Sequence, residues 1–435
     1  MDDFSSKSCC VVENSSVFQS WAHRLSRDFG RVYYHRTGRR PSASDREPGM
    51  GYQDIQLVEH WEDLLNKVDL WAFVDVYDGA LQEHLVSLGK RVFGARRGDE
   101  LEIWRADFRR IMRDLSLPTQ DYKKVTGIRA LSDALKNVDD KWIKTGSNIR
   151  GTTETWHHKS WALSQAHLDF LSSKLGALKD SQVFLIDTPI EDVEEYGYDD
   201  MAIDGEQAPH GMVGVEDKDK SYFGCFMRYE DIPEPLQETN EALGGVLAKY
   251  KYRGMYSIEL RGDILIDPCC RAPSPAGECE QEVYANLAER MWHGAKGEVV
   301  DPIPVATWAA QAGLSSDHIE KDPMPITIPE DKRQWVKLYN SAKGKDGQEW
   351  ITPYMEMHEV GTIVGIGDTA DEAVTNLEKN SEGFSEWAME LRCEIDSVAK
   401  ARESLQRVLR GNGIRVSYPD EDLESATNLL PLSRR

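Results

Sequence analysis

The stretch 141-KWIKTGSNIRGTTET-155 sets a lysine in a short apolar run and follows it with a loop of two glycines, an arginine and several hydroxyl side chains. A lysine at a strand end puts a point charge on phosphates, and such a loop supplies backbone N–H and hydroxyl donors above them. The same letters also describe a solvated lysine beside a turn, and taken alone that plainer reading is the commoner one. The flanking elements have to choose between the two.

Upstream, "RVYYH" (31–35) reads as a strand and the Gly/Arg/Pro/Ser-rich segment 36–50 as a loop. "DIQLVEHWEDLLNKV" has helical apolar spacing, "LWAFVDVY" (70–77) is a nearly all-apolar strand, "DGALQEHLVSLG" a helix and "KRVFGA" the next strand. This βαβ rhythm predicts a doubly wound domain over 28–96, preceded by a polar lead-in, 1–27, with one amphipathic piece. The helix "DELEIWRADFRRIMRDLS" then runs to "LPT", where Pro118 stops it. After the quoted strand come a helix, "SQAHLDFLSSKLGALKD", and a strand, "QVFLIDTPI". Further strands follow, then the helix "PLQETNEALGGVLAKYKY" and a hairpin, "GMYSIELRGDILIDP", turning at Gly262-Asp263. Residues 97–300 therefore read as an α+β unit with mostly antiparallel sheets. A C-terminal α+β domain over 301–410 holds "EVGTIVGIG", a helix opened by Asp368-Thr369 and a long charged helix over 384–409. Residues 411–435 read as a poorly ordered tail.

Length supports this division: 435 residues exceed one simple core. The net charge of −23 opposes binding to nucleic acid or an anionic membrane. Local basic pairs such as Arg39–Arg40 leave room for a polyanionic small molecule. Seven cysteines at irregular spacings fit neither a zinc site nor a disulfide framework. No run of about 18 apolar residues and no secretory leader is read, so a cytoplasmic protein is expected.

Two more segments carry chemistry. "FLIDTPIEDVEEYGYDDMAIDGE" (184–206) sends an apolar strand into an acidic stretch, where backbone groups can meet an adenine edge and a glutamate can accept from a ribose. A hairpin with a solvated acidic turn is the plainer account. "YSIELRGDILIDPCCRAPSP" (256–275) puts Glu259 and Asp267 on the facing strands of one hairpin, at a parity that allows one face. Paired carboxylates repel unless they share a cation or face water, and Mg²⁺ takes one or two carboxylates plus phosphate oxygens. A salt bridge beside an exposed acid is the alternative.

The order of these parts resembles the ATP-grasp superfamily and, within it, the phosphoribosylamine–glycine ligases. The matching text is "VFGARRGDELEIWRADFRRIMRDLSLPTQDY", "KWIKTG", "FLIDTPIEDVEEYGYDDMAIDGE", "ILIDPCCR" and "VGIGDTADEAVTNLEK". The resemblance implies an ATP-grasp fold of α/β and α+β parts: an N-terminal doubly wound domain, a nucleotide-binding region and a small C-terminal domain. It implies ATP and Mg²⁺ as cofactors, with small-molecule carboxylate and amine substrates joined through an acyl phosphate. It gives Lys144 the α/β-phosphates, with Arg105 where the family has another phosphate-binding lysine. The loop 146–154, with Gly146, Arg150 and Gly151, becomes the lid. Asp187 to Ile190 become the adenine hinge, Glu195 or Glu194 the ribose contact, Asp267 and Glu259 the metal ligands, and Arg271 the arginine beside the transferring phosphate. Lys144 and Arg271 are thus the expected catalytic residues.

The sequence also departs from the family. Its metal-binding Glu-x-Asn becomes Asp267-Pro268-Cys269, and cysteine is a poor magnesium ligand. The substrate-binding Gly-Gly-Met-Gly stretch is missing, with "DKDKSYFGCFMRY" in its region, and "APSPAGECEQE" replaces the familiar run after the metal residues. A ligase with rebuilt substrates, a catalytically silent ATP-binding protein and a partner-binding protein of the same fold all remain open.

Overall fold

The computed structural model describes residues 2–38, 46–146, 155–353 and 357–414. The chain forms two compact units: one from 1–99, 194–259 and 269–435, the other from 100–193 and 260–268.

The first unit begins with a five-stranded parallel sheet: β1 (Ser8–Glu13), β2 (Arg31–Arg36), β3 (Ile55–Val58), β4 (Leu70–Phe73) and β5 (Val92–Phe93), in the order β3-β2-β1-β4-β5. α1 (Gln19–Leu25) follows β1, and α2 (Gly79–Ser87) links β4 to β5. Residues 8–13 are therefore no lead-in; they are the central strand. "SCCVVE" is buried on both faces, Cys9 and Val11 packing with Phe18 and Trp21, Cys10 and Val12 with Trp71 and Phe73. A six-residue run of small side chains is too short to announce itself. "DIQLVEHWEDLLNKV" is likewise a strand, β3, and a 3-10 turn at Trp61–Leu64, because short apolar runs fit either period.

The second unit opens with α3 (Glu100–Ile103) and α4 (Arg105–Asp114). It contains an antiparallel sheet of β6 (Tyr122–Thr126), β7 (Lys141–Thr145), β8 (Thr155–His158) and β9 (Val183–Asp187), in the order β6-β9-β7-β8. α5 (Ile128–Leu135) and α6 (Trp161–Leu175) cover one face of it. Leu131, Leu135, Leu168 and Leu171 pack there on Ile143, Phe184 and Ile186. Alternation along the strands sends Trp142, Lys144, Leu185 and Asp187 to the other face.

The chain returns to the first unit at β10 (Glu195–Ile203), with β11 (Glu206–Gln207) on its end. β12 (His210–Asp217) and β13 (Ser221–Arg228) follow. α7 (Glu234–Tyr250) leads to β14 (Arg253–Arg261), which turns at Gly262 into β15 (Ile264–Cys269); along this hairpin the chain passes into the second unit and back. α8 (Ala276–Val283) and α9 (Leu287–Gly294) precede β16 (Trp308–Ser315). Three short strands, β17 (Met324–Ile326), β19 (Ser341–Lys343) and β20 (Glu349–Ile351), make a small sheet in the order β17-β20-β19. β18 (Val336–Leu338), β21 (Glu359–Gly367) and β22 (Arg392–Cys393) join the main antiparallel sheet, which runs β14-β10-β12-β13-β16-β21-β18 with β22 on β16. α10 (Ala370–Ser381) and α11 (Val398–Gly411) complete the described chain.

A boundary at 300 would cut this sheet between β13 and β16, which pair from Ser221↔Ala312 to Cys225↔Trp308. The single charged helix expected over 384–409 is α11 alone; before it lie a 3-10 turn entered by Gly383 in the left-handed region (φ 76°) and β22. The tail from 415 onward lies outside the described residues.

Candidate functional site

In the second unit, α4 turns Arg105, Phe108, Arg109 and Met112 inward together, the i, i+3, i+4, i+7 stripe of a helix. Two arginines thus lie on a buried face. On the open face of the sheet, register pairs Lys144 with Leu185 and Trp142 with Asp187, so Lys144 and Asp187 are diagonal neighbours. β15 adds Asp267.

These five side chains converge. Lys144 Nζ donates to Asp267 Oδ2 at 3.2 Å, and Arg105 Nε lies 3.4 Å from Asp267 Oδ1. Arg109 Nη2 donates to Asp187 Oδ2 at 3.0 Å, with both side chains buried. Burial alone would raise the Asp267 pKa, but Arg105, Lys144 and Arg109 outweigh it and hold the carboxyl well below its ordinary range. Asp187 is shifted the other way: burial raises it, and Arg109 and Lys144 only partly offset that. Three cations face two carboxylates, which leaves a positive surplus. Buried Arg109 Nη1 and Asp187 Oδ1 have no hydrogen-bond partner among the described residues, so the group is incomplete as it stands.

The other predicted residues are distributed as follows. Gly146 closes β7: its N–H donates to the Val183 carbonyl at 2.7 Å, and a Cβ there would come within 2.6 Å of the Val183 side chain. Arg150 and Gly151, with the rest of the loop 147–154, lie outside the described residues. The Ile190 carbonyl, expected to face an adenine edge, accepts from Arg261 Nη1 at 3.1 Å. Glu194, Glu195, Glu259 and Arg271 belong to the first unit. Glu194 is paired with Arg407 at 2.6 Å. Glu195 and Glu259, with Glu216, act on Lys218, whose ammonium lies 3.2 Å from the Glu216 carboxylate and is held in its charged form by it. The Arg271 guanidinium lies 5.7 Å from the Phe18 ring.

Sequence reasoning missed Arg109. The signal for Arg109 was present: Arg105 and Arg109 are four apart on one helix, so the face that presents one presents both. Among the described residues, no group of three or more His, Cys, Asp or Glu side chains forms a metal cage. A single carboxylate such as Asp267 together with phosphate oxygens is the arrangement that suits Mg²⁺.

No protein-family model matches the chain, and no curated protein matches its sequence. Solved structures do. Phosphoribosylamine–glycine ligase from Thermotoga maritima superposes with a TM-score of 0.63 at 17% identity, over 89% of this chain and 97% of that one. The biotin carboxylase domain of the Hydrogenobacter thermophilus 2-oxoglutarate carboxylase, solved with ADP, MgADP and bicarbonate, gives 0.63 at 11% identity, over 94% and 98%. N5-carboxyaminoimidazole ribonucleotide synthetase from Thermus thermophilus gives 0.56 at 14% identity, over 88% and 99%. These are ATP-grasp enzymes, and the chain has the ATP-grasp fold.

Proposed function

We propose that this ATP-grasp chain is an ATP-dependent carboxylate–amine ligase working through an acyl phosphate. One observation carries the reading: Arg105, Arg109 and Lys144 converge on Asp267 and Asp187 with charge to spare. Lys144 and Arg105 bind the nucleotide phosphates. Asp267 would hold Mg²⁺, which would supply neutralising charge to the nucleotide phosphates. The substrate carboxylate attacks the γ-phosphorus and ADP leaves; the amine then attacks the acyl carbon and phosphate leaves. The protein's contribution is position and charge: orientation alone is worth ~7–11 kcal/mol. The partners are small molecules.

Calorimetry with Mg·ATP, followed by ADP release against a pool of amino acids and amines, tests this. Binding with substrate-dependent release is expected. Binding without release in any pool would favour a second reading, a catalytically silent nucleotide binder. Cys269 at a metal position and the Ile190 carbonyl already engaged by Arg261 are the observations on its side. Absence of binding would sink both readings.

A further inference from the structure

Across the open face of the second unit's sheet, register lines up Tyr122, Asp187, Trp142 and His157, one each from β6, β9, β7 and β8. The two ends of this row are built differently. At one end α4 lies over it: Arg109 pairs with Asp187, and the Arg109 and Arg113 guanidinium groups lie 5.9 and 5.8 Å from the Tyr122 ring. At the other end the Trp142 and His157 rings stack, with centroids 4.8 Å apart and planes 10° from parallel, and both side chains are only partly buried. Asp140 fixes the imidazole through its Nε2 at 2.6 Å.

Trp142 is not there to fill the core. Its neighbour Ile143 does that, packed with Leu131, Leu168 and Phe184 on the opposite face. A cross-strand aromatic pair stabilises a sheet in its own right, but a flat aromatic surface left partly exposed is also a seat for a planar ligand. Its position is informative. Trp142 is two residues before Lys144 on one strand, hence on the same face and roughly 7 Å away. A nucleotide with its phosphates on Lys144 and Arg105 brings its base within reach of the indole. One face of the indole lies on His157, so the other is turned toward β9 and Asp187.

The edge of such a base would next meet the backbone leaving β9, and those groups are engaged. Thr188 N donates to the Asp121 carbonyl at 3.0 Å, the Thr188 carbonyl accepts from Gln120 Nε2, and the Ile190 carbonyl accepts from Arg261 Nη1 at 3.1 Å. Adenine carries an amino donor at the position where guanine carries a carbonyl acceptor. A site rejects a near-analogue strongly when its own polar groups would be left unpaired, and these already have partners. Stacking draws no such distinction, because every base has a π-face.

We propose that Trp142, braced by His157, is the stacking platform for the nucleotide's base, and that the site takes ATP and GTP nearly alike. This rests on the nucleotide-binding part of the reading above and not on the ligase chemistry.

The test is calorimetric titration of the full chain with Mg·ATP, Mg·GTP and Mg·tripolyphosphate, as wild type and with Trp142→Ala or Trp142→Phe. Wild-type Kd values for ATP and GTP are expected within about threefold of each other. Trp142→Ala should weaken both nucleotides by about tenfold or more and leave tripolyphosphate unchanged, with Trp142→Phe recovering most of the loss. A preference above about tenfold for either purine overturns the proposal. So does a Trp142→Ala protein that binds both nucleotides as the wild type does, which would make the stack a sheet contact only, or one that loses tripolyphosphate to the same degree, which would make the role structural. The wild-type ratio decides even where a variant fails to fold. ATP bound tightly and GTP weakly removes this proposal and leaves the nucleotide reading standing; failure of all three ligands to bind removes that reading itself, so the two failures are told apart.

Discussion

Asp267 shows how much one side chain can hold. It accepts from Lys144 and lies against Arg105, and its depressed pKa means that the ionised form stabilises the folded state. That contribution is present above the carboxyl's ordinary value near 4 and is lost as pH falls through the folded one. Asp267→Asn leaves two partly buried cations facing a neutral amide. We expect a loss of about 1–3 kcal/mol in urea unfolding at pH 7 and loss of ADP release; unchanged turnover would remove Asp267 from the chemistry. Arg109 makes the harsher case. Its guanidinium and the Asp187 carboxylate are both buried, so Arg109→Met strands a carboxylate in a dry site. The expected cost is about 3–5 kcal/mol, and Asp187→Asn added to it should restore part of the loss. At this scale, Lys144 and Asp267 were legible because a charge inside an apolar strand, "KWIK" or "ILID", demands a reason. Asp187 was legible as a position but not in its role: a strand-end aspartate reads as exposed backbone, and only the helix packed above it reveals the ion pair. Glu194, offered to a ribose from sequence, is ion-paired with Arg407, which lies more than two hundred residues away in the chain, a separation that no local pattern reports.

At the scale of elements, "VGIGDTADEAV" is the clearest join between letters and structure. Thr369 caps α10 as expected: its hydroxyl accepts from Glu372 N at 3.1 Å, while the Glu372 carboxylate accepts from Thr369 N at 3.2 Å. Thr369→Ala should cost about 0.5–2 kcal/mol by chemical denaturation, with the fold retained. The glycines before it have a different task. A Cβ on Gly365 would lie 2.3 Å from Leu377 N and 2.4 Å from Ala373 O, so the missing side chain is what lets α10 lie on β21. The colliding atoms are backbone and cannot rotate away, so Gly365→Ala is expected to destabilise more than Thr369→Ala. The reverse order would mean that helix and strand are not this close. Long, strongly patterned elements such as α7, β21 and α10 could be read from sequence. β1, β3 and the 384–397 region could not, because four to six small or mixed residues carry no period, and their partners decide their state.

The whole molecule carries 75 acidic residues against 52 basic ones, and several acids are buried in the first unit. Composition predicts the surface consequence of that excess; it does not reveal the interior one. Burial pushes Glu13, Asp78 and Glu278 each up to about 7, and Asp199 to about 6. Hydrogen bonds oppose the shift without cancelling it, as where Tyr222 donates to Asp199 at 2.9 Å and Ser274 to Glu278 at 3.0 Å. The sign of the effect follows from proton counts. Between about pH 4.5 and 7 the unfolded chain has released these protons and the folded chain keeps them, so stability falls as pH rises, by up to ~1.4 kcal/mol per pH unit for each group. Below that window the loss of ionised Asp267 acts the other way, which places the maximum at about pH 4. Thermal unfolding from pH 5 to 8 at fixed ionic strength should therefore show a falling midpoint. Self-repulsion of the net charge would give the same trend, so the slope itself must be dissected. Glu278→Gln removes one titrating group and leaves the rest of the surplus charge in place. Its midpoint should fall less steeply than that of the wild type between pH 5.5 and 7.5. Equal slopes would assign the pH dependence to the surface, and would mean that Glu278 enters the folded state already ionised.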